Sequence, residues 1–239
     1  MRRLARARGG RVGVLRGSST PESAKGAVHT GDFSREFHEE LEQLFLWRRD
    51  VRRFRKDPVD PKDFQTVLNH ACIAPSVGNS QPWRYVVIED QKIKDAVTEN
   101  FEKANLEALS DYEGERKRTY AKLKLSGLKE APIHLAVFCE EDTPIGHGLG
   151  RRTMPEALEY SVAASIQQLW LSARSLGIGV GWVSIFDIED LKASLDVPDD
   201  WKFIAYLCVG YPEEKHTDSE LIRHGWQDRL DRSKMIFKR

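Results

Sequence analysis

The sequence has no surplus of either charge: 37 lysines and arginines stand against 37 aspartates and glutamates. Without net charge there is no long-range pull toward nucleic acid or an anionic membrane, so neither is expected as a partner. No apolar run approaches the roughly 18 residues of a membrane span. The cysteines number only 3, Cys72, Cys139 and Cys208, far apart and each in an apolar segment. Buried free thiols in a reducing, cytoplasmic compartment are the expectation. The 7 histidines lack metal-ligand spacing, and neither H-E-x-x-H nor C-x-x-C occurs, so no metal site is expected. His70 and His134 read as structural. There is no G-x-G-x-x-G between a strand and a helix and no G-x-S-x-G elbow. Those absences disfavour a Rossmann dinucleotide site and a hydrolase serine. No internal repeat is present.

The chain of 239 residues is long enough for a sizeable core. Its first part, Met1 to about Gly26, holds several arginines and no acid before Glu22. It lacks the apolar stretch of a secretory signal, and its composition loosely resembles a transit peptide. A disordered N-terminal extension over residues 1–30 is expected, with one α+β domain over residues 31–239.

From Asp32 the pattern becomes helical: Phe37, Leu41, Leu44, Phe45 and Trp47 recur on one face. Asp60, Pro61 and Asp63 open a second helix that turns Phe64, Val67, Leu68 and Ala71 inward. Strands are expected at residues 84–90, 134–140, 180–185 and 201–211, the last apolar enough to be buried on both faces. Residues 91–127 are charged and mostly helical, broken near 110–114, and read as a cover more than a core element. Residues 156–176 form a helix apolar over more than a stripe, which implies burial in the domain or against another subunit. The tail from Lys215 is polar apart from Met235–Phe237, a patch able to add a strand to a neighbour.

Three stretches carry the chemistry. RRDVRRFR, Arg48 to Arg55, supplies forked guanidiniums; if the helix continues, Arg48 and Arg52 share a face and match a phosphate monoester. A solvated basic helix end is the plainer alternative. Asp50 among the arginines is either charge balance or a carboxylate poised near a reactive ring. APSVGNSQPW, Ala74 to Trp83, offers Ser76, Asn79, Ser80 and Gln81 as neutral donors and acceptors, which suit a flat heterocycle's edge or an ordinary turn. GIGVGWVSIF spaces Gly177, Gly179 and Gly181 along a strand, marking close approach by a ligand or another backbone. Ser184 follows in that strand with its hydroxyl free. Trp83, Trp170, Trp182 and Trp201 read as core or interface. Together the three stretches are what a flat, phosphorylated cofactor needs.

These motifs, with KLKLSGLKEAP and the closing GWQDRL, resemble the 5,6-dimethylbenzimidazole synthases, BluB-type members of the flavin-dependent nitroreductase superfamily. The resemblance runs in order from about Phe37 to Phe237. It implies a nitroreductase-like fold, a central mixed or antiparallel sheet flanked by helices, in a homodimer with FMN at the interface and a C-terminal tail that embraces the partner. It implies that Arg48, Arg49 and Arg52 hold the phosphate and ring edge with Asp50 and Val51 between them. Ser76 and Gln81 would line the flavin, Val183 and Ser184 face the ring, Lys124 belong to a lid, and Arg229 touch the phosphate. Asp50 and Ser184 would be the catalytic side chains. The implied reaction takes reduced FMN as substrate and dioxygen as co-substrate, and releases 5,6-dimethylbenzimidazole and erythrose 4-phosphate. NAD(P)H would be an indirect electron source, through a separate flavin reductase. An NAD(P)H-dependent nitroreductase or flavin reductase, and a flavin-binding protein without turnover, are the alternatives.

Overall fold

The computed structural model describes residues 31–239. The expected disordered extension over 1–30 lies outside them. The chain divides into two units, Met1–Phe33 and Ser34–Arg239, and the second holds every element below.

Helix α1 spans Arg35–Trp47, capped by the Ser34 hydroxyl, which accepts from the Phe37 amide at 3.2 Å. It ends before the arginines, with Arg48 in extended conformation. Helix α2 spans Pro61–Cys72; Asp60 caps it and proline takes the first position, where no amide is needed. Strand β1 (Trp83–Ile88), helices α3 (Gln91–Ser110) and α4 (Gly114–Tyr120), and strand β2 (Ile133–Glu140) follow. Then come α5 (Ala157–Ser175), β3 (Gly179–Val183), α6 (Ile188–Leu195, capped by Asp187), β4 (Trp201–Gly210) and the short α7 (Glu220–Arg223).

The four strands form one antiparallel sheet in the order β1-β2-β4-β3. A single parallel bridge, Asp50 to Val180, extends it past β3, so its mixed character lies in the arginine stretch. Period-two alternation sorts the central strands. Leu135 and Val137 of β2, with Ala205, Leu207 and Val209 of β4, face α2 and α5. Ala136, Phe138, Tyr206 and Cys208 face the other way, onto Val97 and Phe101 of α3 and Leu191 of α6. The stretch of α3 through Phe101 is thus a core element and not only a cover. Its apolar positions are few, but two of them are fully used.

Cys139 and Cys208 are buried as expected, whereas Cys72, the last residue of α2, is exposed. Among the described residues no helix is long and apolar enough to cross a membrane.

His134 sits in β2 at 1% exposure, its Nδ1 2.9 Å from the Tyr206 hydroxyl. Burial, and then the Lys94 charge, push its imidazole down to about 4. The unfolded chain takes up that proton near pH 6.5, the folded one only near pH 4. This contribution to stability is therefore whole above about pH 6.5 and is lost as pH falls toward 4, at most about 3 kcal/mol. In a thermal-melt series, His134→Gln is expected to flatten the loss of stability between those limits.

Candidate active site

Residues 48–55 leave α1 and run beside β3 as an extra, extended segment. The Val51 amide donates to the Val180 carbonyl at 3.0 Å, and Arg55 donates to Tyr211 at 2.9 Å. The glycines of β3 answer to this segment. A β-carbon on Gly181 would overlap the Val51 carbonyl oxygen, and one on Gly179 would crowd the Val51 side chain at 2.8 Å. Of the two readings of that spacing, the close approach is by the chain's own backbone.

The docking fixes Asp50. Its Oδ1 accepts from the Trp182 amide at 2.8 Å, and its Oδ2 accepts from Arg52 Nε at 2.8 Å. Two donors, one of them cationic, hold this carboxylate in place as an acceptor. Arg52 continues through a second nitrogen to the Lys124 carbonyl at 2.9 Å. Lys124 in turn pairs with Glu130 at 2.7 Å.

The arginines divide by what they already hold. Arg49 donates to the Thr217 and Arg48 carbonyls, both at 2.7 Å. Arg53 is taken by Glu220 at 2.7 Å. Arg48 lies 4.9 Å over the Trp170 ring and, among the described residues, makes no ion pair. Arg229 likewise has no carboxylate partner among them. Burial, above all, lowers the Arg48 guanidinium; Asp50 offsets this and the Arg229 charge adds to it. A cavity of about 140 Å³ lies between Arg48, Asp50 and Arg52 on one side and Ser219, Leu221 and Arg229 on the other. Glu220 also lines it, but Arg53 neutralises that carboxylate. Two guanidiniums that make no ion pair among the described residues and face one small cavity have the charge and forked geometry that suit a phosphate group.

The loop of Ser76 and Gln81 lies elsewhere. Val77–Asn79 is a turn of 3-10 helix, and the Ser76 hydroxyl accepts from the Gln81 amide at 3.0 Å. Gly78 takes φ 58° because Leu149 closes over it: an added β-carbon would stand 2.9 Å from the Leu149 carbonyl oxygen. Asn79 and Gln81 also take left-handed φ, 54° and 47°, which costs about 1 kcal/mol each. The loop is pinned to α5 where Ser161 Oγ accepts from the Val77 amide; the arginine stretch is pinned where Trp170 Nε1 donates to the Arg49 carbonyl. Those two points are nine residues apart on α5, about 14 Å at 1.5 Å per residue. One chain does not bring the two groups together.

A sequence profile of the nitroreductase family matches residues 45–211. The chain belongs to the nitroreductase family. Within it, the 5,6-dimethylbenzimidazole synthase of Rhodospirillum rubrum is 52% identical over 197 residues, which is 82% of this chain and 93% of that one. The synthase of Rhodobacter capsulatus is 42% identical over 199 residues, covering 83% and 96%. Among solved structures, iodotyrosine deiodinase bound to FMN and 3-iodo-L-tyrosine superposes with a TM-score of 0.63 at 27% identity, over 73% of this chain and 91% of that one.

On this nitroreductase scaffold, Arg48, Arg49, Asp50, Arg52 and Arg229 line one cavity, while Val51 lies between them in sequence and Lys124 joins through its carbonyl, which accepts from Arg52. One expectation for them changes. Arg48 and Arg52 do not share a helical face, because α1 stops at Trp47 and Arg52 turns to Asp50. Arg49 also lines the cavity, with two of its donors already given to the Thr217 and Arg48 carbonyls. Ser184 does not lie within β3: pairing with β4 ends at Val183, and Ser184 is exposed just beyond it. Val183 is buried. Residue-type reading missed the Trp182 amide and the Lys124 carbonyl, since a backbone group leaves no trace in the sequence. Ser219 and Leu221 carried no signal in a polar tail.

Proposed function

We propose that this chain is a 5,6-dimethylbenzimidazole synthase, which takes reduced FMN and dioxygen and releases 5,6-dimethylbenzimidazole and erythrose 4-phosphate. The observation that carries the cofactor reading is the pair Arg48 and Arg229, which make no ion pair among the described residues and flank a small cavity of a size that suits a phosphate monoester. The 52% identity to a named synthase carries the choice of reaction. When bound, the reduced flavin supplies both the electrons and the carbon skeleton of the product. Electrons would reach it from NAD(P)H through a separate flavin reductase.

The chain's own residues have distinct parts. Arg48 and Arg229 hold the phosphate; Arg49 braces the tail that carries Arg229 by gripping the Thr217 carbonyl. Asp50, held as an acceptor by Trp182 and Arg52, takes and returns protons within reach of the ring. Ser184 offers a hydroxyl from the loop after β3. Lys124 and its neighbours cover the site and keep water out, which prolongs reactive states.

A second copy completes the site. Phe45 and Leu46 of α1, Ile73 after α2 and Tyr160 of α5 are large apolar residues left 48–70% exposed in one chain. A two-fold pairing across these helices brings Ser76 and Gln81 of one copy toward the arginine cavity of the other. The tail patch Met235–Phe237, also exposed, is suited to embracing that copy. The setting is cytoplasmic.

The test is incubation with chemically reduced FMN, followed by air and chromatography. 5,6-Dimethylbenzimidazole is expected without any added nitroarene. Rapid NAD(P)H consumption with FMN returned intact would mark a reductase instead, and neither activity a storage module.

A further inference from the structure

We propose that Trp226 is a positioning residue that latches the cover of the site to its phosphate-facing tail, so that an anion seated between Arg48 and Arg229 holds the cover shut. This rests on the phosphate reading of that cavity.

The cover needs such a latch. Of the residues in α4, only Tyr120 is buried. A helix of this length with one core contact belongs to the least stable part of a fold. What grips it is the tail. Tyr112 stacks on Tyr120 with ring centres 4.9 Å apart. Trp226 stands edge-on to both, at 5.4 Å from Tyr112 and 6.0 Å from Tyr120. The Arg116 guanidinium lies 5.4 Å over the indole. One tryptophan from the far end of the chain thus touches a residue two positions before α4, one inside it and its last one. Tyr120 carries the grip to α3 through its hydroxyl, which donates to Asn105 at 2.7 Å.

The root of Trp226 is the anion cavity. Its amide donates to the Leu221 carbonyl at 2.9 Å, closing a turn in which Gly225 takes φ 68°. Leu221 and Ser219 line the cavity, and Arg229 follows three residues after Trp226. A second clip holds the other end of the cover, where Arg52, also in the cavity wall, donates to the Lys124 carbonyl. Both clips spring from residues that face the anion. An anion that draws Arg229 toward Arg48 therefore firms the turn bearing Trp226, and with it α4. Edge-to-face ring pairs and a cation over an indole depend on geometry, so a small shift of the tail is felt at the cover.

The test uses the full chain and trypsin, which cuts α4 after Arg116, Lys117 and Arg118. The probes are inorganic phosphate and oxidised FMN. In the unaltered protein each is expected to slow cleavage in α4 roughly tenfold, as closing a locally open segment does. Trp226→Ala is expected to erase that protection while FMN still binds, its fluorescence quenched on binding, with affinity weakened by at most the same roughly tenfold, since the coupling is reciprocal. Trp226→Phe, which keeps a ring, retains most of the protection, and Arg116→Gln loses part of it. A thermal melt checks that each variant is folded, and the Phe and Gln variants decide the matter if Ala is not. Equal protection in all the variants, or none by either probe in the unaltered protein, overturns the latch. If protection depends on Trp226 but reduced FMN yields no 5,6-dimethylbenzimidazole, the latch stands and the reaction assigned above falls; the reverse pair of results sinks the latch alone.

Discussion

Asp50→Asn is expected to cut 5,6-dimethylbenzimidazole formation by roughly 10²–10⁴-fold, the usual worth of a positioned acid–base group, and to leave FMN bound. The two effects separate because Asp50 and the phosphate site use different atoms. Asparagine keeps an oxygen for the Trp182 amide but turns an NH2 group against Arg52 Nε, which then has nothing to donate to. The guanidiniums of Arg48 and Arg229 are untouched. Product yield by chromatography and flavin fluorescence on titration check the two halves. Unchanged yield removes Asp50 from the chemistry; lost binding with lost yield makes it structural.

Gly181→Ala has the second large effect, and it starts from packing. The added methyl would overlap the Val51 carbonyl oxygen, a backbone atom that cannot swing aside. Either β3 or residues 48–55 must move, and with them the Val51–Val180 hydrogen bond and the Trp182 amide that orients Asp50. Overpacking of this kind costs about 2–3 kcal/mol, a fall in Tm of roughly 4–12 °C for a domain of this size. Product formation is expected to vanish even where the protein stays folded. Gly179→Ala is the control. Its methyl meets only side chains, Val51 Cγ2 and Pro212 Cγ at 2.8 and 2.9 Å, which can shift, so its losses are smaller. Melting curves and product assays on both variants check the contrast.

The difference between these two glycines also marks what a sequence can disclose. Local rules are legible: the Asp60 cap, the break between α3 and α4, and the two-faced burial of β4 all follow from residue type and period. The three stretches that carry the site could be picked out as well. Their pairing partners could not. Gly181 and Val51 are 130 residues apart, and nothing in either stretch says that a backbone, not a ligand, fills the space. An arginine announces a cation but not the group it has already met. Arg49, Arg52 and Arg53 are all engaged within the chain, and only contacts reveal that Arg48 and Arg229 make no ion pair among the described residues. The apolar run continues through Ile185 and so reads as strand past Ser184; β3 ends sooner because pairing with β4 stops at the Val183–Tyr206 pair. The Ser76 loop sits apart from the arginines because the two stretches are pinned nine residues apart along α5, at Ser161 and Trp170, and neither stretch discloses its anchor.

The fate of the flavin tests the account most directly. With a counted amount of reduced FMN admitted to the protein and then exposed to air, each FMN consumed is expected to appear as one 5,6-dimethylbenzimidazole and one erythrose 4-phosphate. FMN recovered whole, with hydrogen peroxide as the only product of dioxygen, would contradict it.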